Sequence, residues 1–143
     1  MRVNVSILVG LLISTACQSS TQPFADIRVA TSVAASGNAE LPIKISTTIT
    51  NESNRAFTFS ANACPSRFRV ETPTGVVIKY GDQICTLEAL SRTLAPGEFY
   101  QFDELWSGKG PDGVPLIGTY RVVGQPFLTA GPQSAPVTVE LPR

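Results

Sequence analysis

The chain has 143 residues, of which 43% are hydrophobic and 15% charged, enough for one domain with a core of useful size. Lys and Arg number 11 and Asp and Glu 11, so nothing in the charge balance favours nucleic acid or an acidic membrane surface. Histidine is absent, which removes the commonest general base and the commonest metal ligand together, and neither a metal nor a cofactor is expected.

At the N-terminus Arg2 precedes a predominantly apolar run from Val3 to Ile13, too short to span a bilayer as a helix. It ends in Ser14-Thr15-Ala16-Cys17, small residues before a cysteine. This resembles a bacterial lipoprotein signal, with Ser14 where that motif usually has Leu. The resemblance implies a signal peptide over residues 1–16, lipidation of Cys17, and a tether over residues 17–25. Gln18 after the cysteine then points to the outer membrane of a bacterial envelope rather than the inner. An ordinary secretory signal, also satisfied by Ser14-x-Ala16, would leave a secreted or periplasmic protein.

Residues 26–143 form the expected domain. Asp26 to Ala35 is a candidate first strand. Leu41, Ile43, Ile45, Thr47 and Ile49 alternate with polar residues and predict one buried face. The Asn51–Asn54 turn cluster and the Phe57/Phe59 alternation beyond it predict a hairpin with that strand. Asn51-Glu52-Ser53 also matches a glycosylation sequon, which the resemblance to a bacterial lipoprotein makes a coincidence. Phe68 and Val70, a Thr72–Gly75 turn, and Val76, Ile78 and Tyr80 give a second hairpin. Residues 86–93 suit a strand, irregular structure or a short helix, the all-β context favouring the first two. The Pro96-Gly97 turn feeds a strand carrying Phe99, Tyr100, Phe102, Leu105 and Trp106, and a further strand opens at Gly118-Thr119-Tyr120. These two are expected to make a central hairpin around the Ser107–Pro115 loop, with Trp106 and Tyr120 in the core. Val137, Val139 and Leu141 end the pattern. About seven to nine short strands with frequent turn signals predict an all-β, immunoglobulin-like antiparallel β-sandwich.

Three cysteines leave one over, and Cys17 is that one if Cys64 and Cys85 pair. A disulfide is the default in an oxidising compartment, and closing that loop contributes about 3 kcal/mol in the loop-entropy model. A redox or metal role lacks both a Cys-x-x-Cys spacing and a histidine.

Catalysis finds little to work with. Asp103 and Glu104 are the only adjacent carboxylates and, on a strand, project to opposite faces. Alternation nevertheless sends Glu104 to the face of Tyr100, Phe102 and Trp106, so a β-bulge or strand-end position is expected there. No nucleophile elbow, P-loop or calcium loop occurs, and no enzyme is expected.

Leu94-Ala95-Pro96-Gly97-Glu98, Trp106-Ser107-Gly108 and Gly118-Thr119-Tyr120, with Ile49-Thr50-Asn51 and Phe57/Phe59 upstream, resemble the BsuPI-type intracellular proteinase inhibitor domain over about residues 43–124. The resemblance implies an immunoglobulin-like sandwich and, from the founding activity, inhibition of a subtilisin-like serine protease. Two functions follow: a lipid-anchored envelope module that binds a protein or other partner without catalysis, and a proteinase inhibitor. The loop for either is Ser107, Gly108, Lys109, Gly110, Pro111, Asp112, Gly113, Val114 and Pro115, with Asn62 to Ser66 as a second candidate. The expected partners are a protease or another envelope protein, with the membrane met only through the lipid.

Overall fold

The structure is a computed structural model and describes residues 24–34, 42–60, 67–80, 91–127 and 131–142. Cys17, Cys64, Cys85, the Asn62–Ser66 loop and residues 86–90 lie outside the described residues. Nine strands are described: β1 (Ile27–Ala34), β2 (Ile43–Asn51), β3 (Phe57–Ser60), β4 (Phe68–Glu71), β5 (Val77–Tyr80), β6 (Ser91–Leu94), β7 (Phe99–Trp106), β8 (Gly118–Gly124) and β9 (Val137–Leu141). Every pairing is antiparallel, and the described residues contain no helix. The fold is an all-β sandwich. A three-stranded sheet, β1-β2-β7, faces a four-stranded sheet, β5-β4-β8-β9, and β3 and β6 pair as a separate ribbon.

Alternation selects the core as its period of two requires. On β2, Ile43, Ile45, Thr47, Ile49 and Asn51 are buried while their neighbours face outward. On β7, Trp106 is fully buried, and Tyr100 and Phe102 pack inward while Phe99 and Leu105 remain exposed. One core cluster joins Ile43, Ile45 and Trp106 to Phe68, Val70, Val122, Val139 and Leu141 of the opposing sheet. A second gathers Ile27, Ile49, Phe59 and Leu94 under the half-buried rings of Phe24, Phe57, Tyr100, Phe102 and Phe127. Between them, Gly124 of β8 approaches the other sheet so closely that a Cβ would overlap Thr31 Oγ1 and lie 3.0 Å from Thr47 Oγ1.

Two pairings and one expected bulge differ from the sequence-based expectation. β7 and β8 do not form a hairpin: β7 pairs with β2, whereas β8 lies between β4 and β9. Their connection crosses between the sheets, so Trp106 and Tyr120 still meet the same core cluster from opposite sides. Nor does β2 pair with β3, which pairs with β6. The reason lies at the end of β2. The Asn51 amide donates to Arg55 O (2.7 Å) and Leu94 O (3.0 Å). Its backbone N–H donates to Glu98 O (2.9 Å), and its carbonyl accepts from Gly97 N–H (2.8 Å). The turn is thereby tied to the Pro96-Gly97 turn instead of folding back on β2, and the sequon amide is fully engaged inside the fold. The third correction concerns Glu104. The β2–β7 register runs unbroken from Ile43↔Trp106 to Thr50↔Phe99, so no bulge relieves it and the carboxylate points inward. By contrast, the β4–β5 hairpin forms, with Gly75 at φ +89° in its turn. Ser91 to Leu94, at the end of the ambiguous 86–93 segment, is strand.

Candidate functional site

The Ser107–Pro115 loop is a small folded unit clamped to the sandwich at both feet. At its start the Trp106 indole Nε1–H donates to the Lys109 carbonyl (3.1 Å). A buried Trp needs an acceptor for that proton, and here the loop backbone supplies it. At its end Leu116 packs on the core cluster containing Trp106, and the Tyr120 hydroxyl donates to Ile117 O (3.3 Å). Lys109 and Pro115 form an isolated antiparallel bridge, and Leu116 N–H donates to Gly108 O (2.9 Å).

The tip is set by local chemistry. Gly113 N–H donates to Gly110 O (3.1 Å), with Pro111 and Asp112 at the centre of the turn. The Asp112 carboxylate accepts from Val114 N–H (3.1 Å), and Gly110 N–H donates to Val114 O (2.9 Å). Gly113 takes φ +78°, the left-handed residue that follows such a turn in bulged hairpin loops. Ser107, Lys109 and Pro111 to Pro115 are exposed, Gly108 is half-buried, and Gly110 is buried. Val114 is 57% and Ile117 55% exposed, apolar surface on a hydrogen-bonded protrusion. Sequence reasoning placed Val114 in the loop but missed Ile117. The signal was there: Val114-Pro115-Leu116-Ile117 is an apolar run in which only Leu116 has a place in the core.

The loop's place in the molecule follows from strand direction. β1 enters at Ile27 opposite Asn51, and β7 leaves at Trp106 opposite Ile43. The loop and the entry of the chain therefore lie at opposite ends of the sheet, about 25 Å apart at ~3.3 Å per residue.

The two adjacent carboxylates are separated by the sheet. Asp103 projects outward, accepting from Ser46 Oγ (2.7 Å) and Gln101 Nε2 (2.8 Å) and pairing with Lys44 Nζ (2.9 Å). The Ser46 hydrogen bond first, then those from Lys44 and Gln101, lower its pKa to about 2. Glu104 projects inward, and its Oε2 accepts the Arg67 backbone N–H (3.0 Å). Burial raises its pKa, against the opposing pull of that hydrogen bond and the Arg67 charge. Arg67, 4% exposed, lies 4.2 Å over the Phe102 ring and donates to Pro126 O (2.6 Å). Burial lowers the Arg67 pKa, opposed by Glu104. The two carboxyls thus share neither a face nor a proton.

On the outer face of the four-stranded sheet Glu71 is the hub of a second polar cluster. It accepts from Arg69 Nε (2.7 Å) and Arg121 Nη2 (2.7 Å), and Arg69 also reaches Gln125 and Gln133. Burial pushes the Glu71 carboxyl up, but these hydrogen bonds outweigh it and hold the pKa below the ordinary value. The cluster ties β4 to β8 and to the 131–136 segment. Among the described residues no group of three or more acidic or cysteine side chains is placed to hold a metal ion.

No protein-family model matches the chain, and no curated protein matches it.

Proposed function

We propose that this chain is a lipid-anchored envelope module that binds a protein partner without catalysis, through the Ser107–Pro115 loop and the adjoining Ile117. The observation that carries this reading is the clamped loop with its exposed apolar side chains. A loop already held by Trp106 Nε1–H, Leu116 and the Tyr120 hydroxyl loses little further freedom on binding, and preorganisation of this kind lowers the cost of association. Exposed Val114 and Ile117 supply apolar contact area. Lipidation at Cys17 would place the loop at the end of the domain away from the membrane, where a partner can reach it.

The strand order supports reading the sandwich as immunoglobulin-like. β1-β2-β7 against β5-β4-β8-β9 corresponds to an A-B-E sheet packed on a C′-C-F-G sheet. Within that reading the BsuPI-type inhibitor is the second function, favoured by the same preformed loop. A tight turn at Gly110–Gly113, rather than an extended segment, weighs toward binding by surface contact over insertion into a protease cleft.

Two experiments test the proposal. Labelled fatty acid is expected to enter the wild-type chain and not Cys17→Ala; equal labelling overturns the anchor. A panel of subtilisin-like and other proteases separates the two functions. Stoichiometric inhibition that is lost on replacing the loop establishes the inhibitor, whereas no inhibition together with loop-dependent capture of a partner from envelope extract establishes the binding module.

A further inference from the structure

β7 is eight residues long and pairs on one side only, with β2. Among the described residues no strand pairs with its other edge. The β3–β6 ribbon touches β7 through its inner face, where Phe59 meets Tyr100 (5.8 Å) and Phe102 (6.2 Å). The outward-facing row along this edge strand is Phe99, Gln101, Asp103 and Leu105. Phe99 is 66% and Leu105 63% exposed, the two most exposed large hydrophobic side chains among the described residues. They stand at the two ends of the row, with an amide and a carboxylate between them.

That order is self-complementary under a two-fold axis. An antiparallel partner must place outward residues opposite outward residues, which restricts the axis to one position of the strand at a time. An axis through Gln101 sets that amide on itself and Phe99 on a carboxylate. An axis through Asp103 sets two carboxylates directly opposite, which is destabilising. An axis through Phe102 sets Phe99 of each copy on Leu105 of the other and Gln101 on Asp103. Apolar meets apolar, and the Gln101 amide, which gives one N–H to Asp103 of its own strand (2.8 Å), has a second N–H for the Asp103 carboxylate opposite it, an acceptor also held by Ser46 and Lys44. The two Asp103 groups then lie diagonally, each beside its own Lys44.

We propose that β7 is a homodimer interface in which two copies pair antiparallel about Phe102, joining two three-stranded sheets into one of six strands. Such an interface is isologous and occupies the free edge of β7 in both copies, so the β7 contact closes at two copies, and the outer strands of the joined sheet are the two β1 strands. The charged Asp103 on the edge and the inward Glu104 limit pairing with unrelated strands and leave this register open.

The test uses the full chain, purified in detergent and followed by sedimentation equilibrium, with circular dichroism confirming the sheet content of each variant. The wild-type chain is expected to be dimeric in the micromolar range. Phe99→Lys and Leu105→Glu, both at exposed positions, are each expected to weaken self-association about tenfold or more, because each places a charge on an apolar neighbour twice. Mixing the two variants is expected to restore dimers, since Lys then faces Glu at one pair and Leu105 faces Phe99 at the other. A monomeric wild-type chain, a dimer indifferent to both substitutions, or a mixture no more associated than its components would each overturn the proposal.

Discussion

The core half beneath the Ser107–Pro115 loop is made of Ile43, Ile45, Phe68, Val70, Trp106, Val122, Val139 and Leu141, all buried and drawn from both sheets. The half at the chain-entry end has four buried residues and a collar of half-buried rings, in which Phe59 contacts Phe57, Tyr100, Phe102 and Phe127. Between them run Thr31, Thr47, Gly124, Glu104 and the Arg67 backbone, a layer where polar groups meet across a narrow gap. The dry half gives the loop a fixed platform, because its largest member, Trp106, also holds the loop's backbone. The aromatic half closes the other end with rings and the Asn51 hydrogen bonds, and the rings of Phe24, Phe57, Tyr100, Phe102 and Phe127 are turned onto the fold, leaving Phe99 as the exposed ring among the described residues at this end.

That contrast can be broken in order of expected effect. Trp106→Ala should cost the most, about 3–5 kcal/mol by urea unfolding, because it opens a cavity and frees the loop foot together. Unchanged stability would contradict the platform. Gly124→Ala comes next, expected to cost about 1–3 kcal/mol through overpacking against Thr31 and Thr47. Adding Thr31→Ala should recover part of that loss, since Thr31 Oγ1 is the nearest obstruction; no recovery would contradict the close approach of Gly124 to Thr31.

Glu104→Gln probes the dividing layer by pH. Burial raises the folded-state pKa of Glu104, so the folded chain holds this proton to higher pH than the unfolded chain does. Its contribution to stability is therefore fully present below the ordinary glutamate pKa and falls as pH rises through the raised value. The variant, which cannot ionise, should gain stability relative to wild type as pH rises from 4 to 7 and be the more stable of the two at pH 7. Asp103 and Glu71 have lowered pKa values, so their contributions are present at neutral pH and lost on acidification, and they cancel in the comparison. A variant less stable than wild type at pH 7 would show that the Arg67 interaction outweighs burial. The smallest effect is expected for Val114→Ser with Ile117→Ser, within about 0.5 kcal/mol in stability, because both side chains are exposed. The same pair should abolish partner binding.

Faces were legible in the sequence, as was the β4–β5 hairpin about its Thr72–Gly75 turn, but the pairings of β2, β3, β7 and β8 were not. The alternation from Ile43 to Ile49 names the buried side of β2 whatever its neighbours are, and parity alone sends Glu104 inward. Which strand lies beside which depends on contacts far apart in sequence. The turn at Asn51 looks like a hairpin until its amide finds Leu94 O, 43 residues on. The loop from Ser107 to Pro115 is visible from its Gly and Pro. How it is held is not, because the clamps are a ring nitrogen, a hydroxyl and a core leucine whose targets are backbone carbonyls or another sheet. The sequence also carries no sign that Glu104 would find its donor in the backbone of Arg67.

The most direct test of the binding account is site-specific photocrosslinking of the full chain in cells of its source, with the photoreactive side chain at position 114 or, at the opposite end, in place of Asn54. The account predicts a discrete protein adduct from position 114, none from position 54, and loss of the adduct when residues 108–113 are replaced by a flexible linker. No adduct at position 114, or the same adduct from both ends, would contradict it.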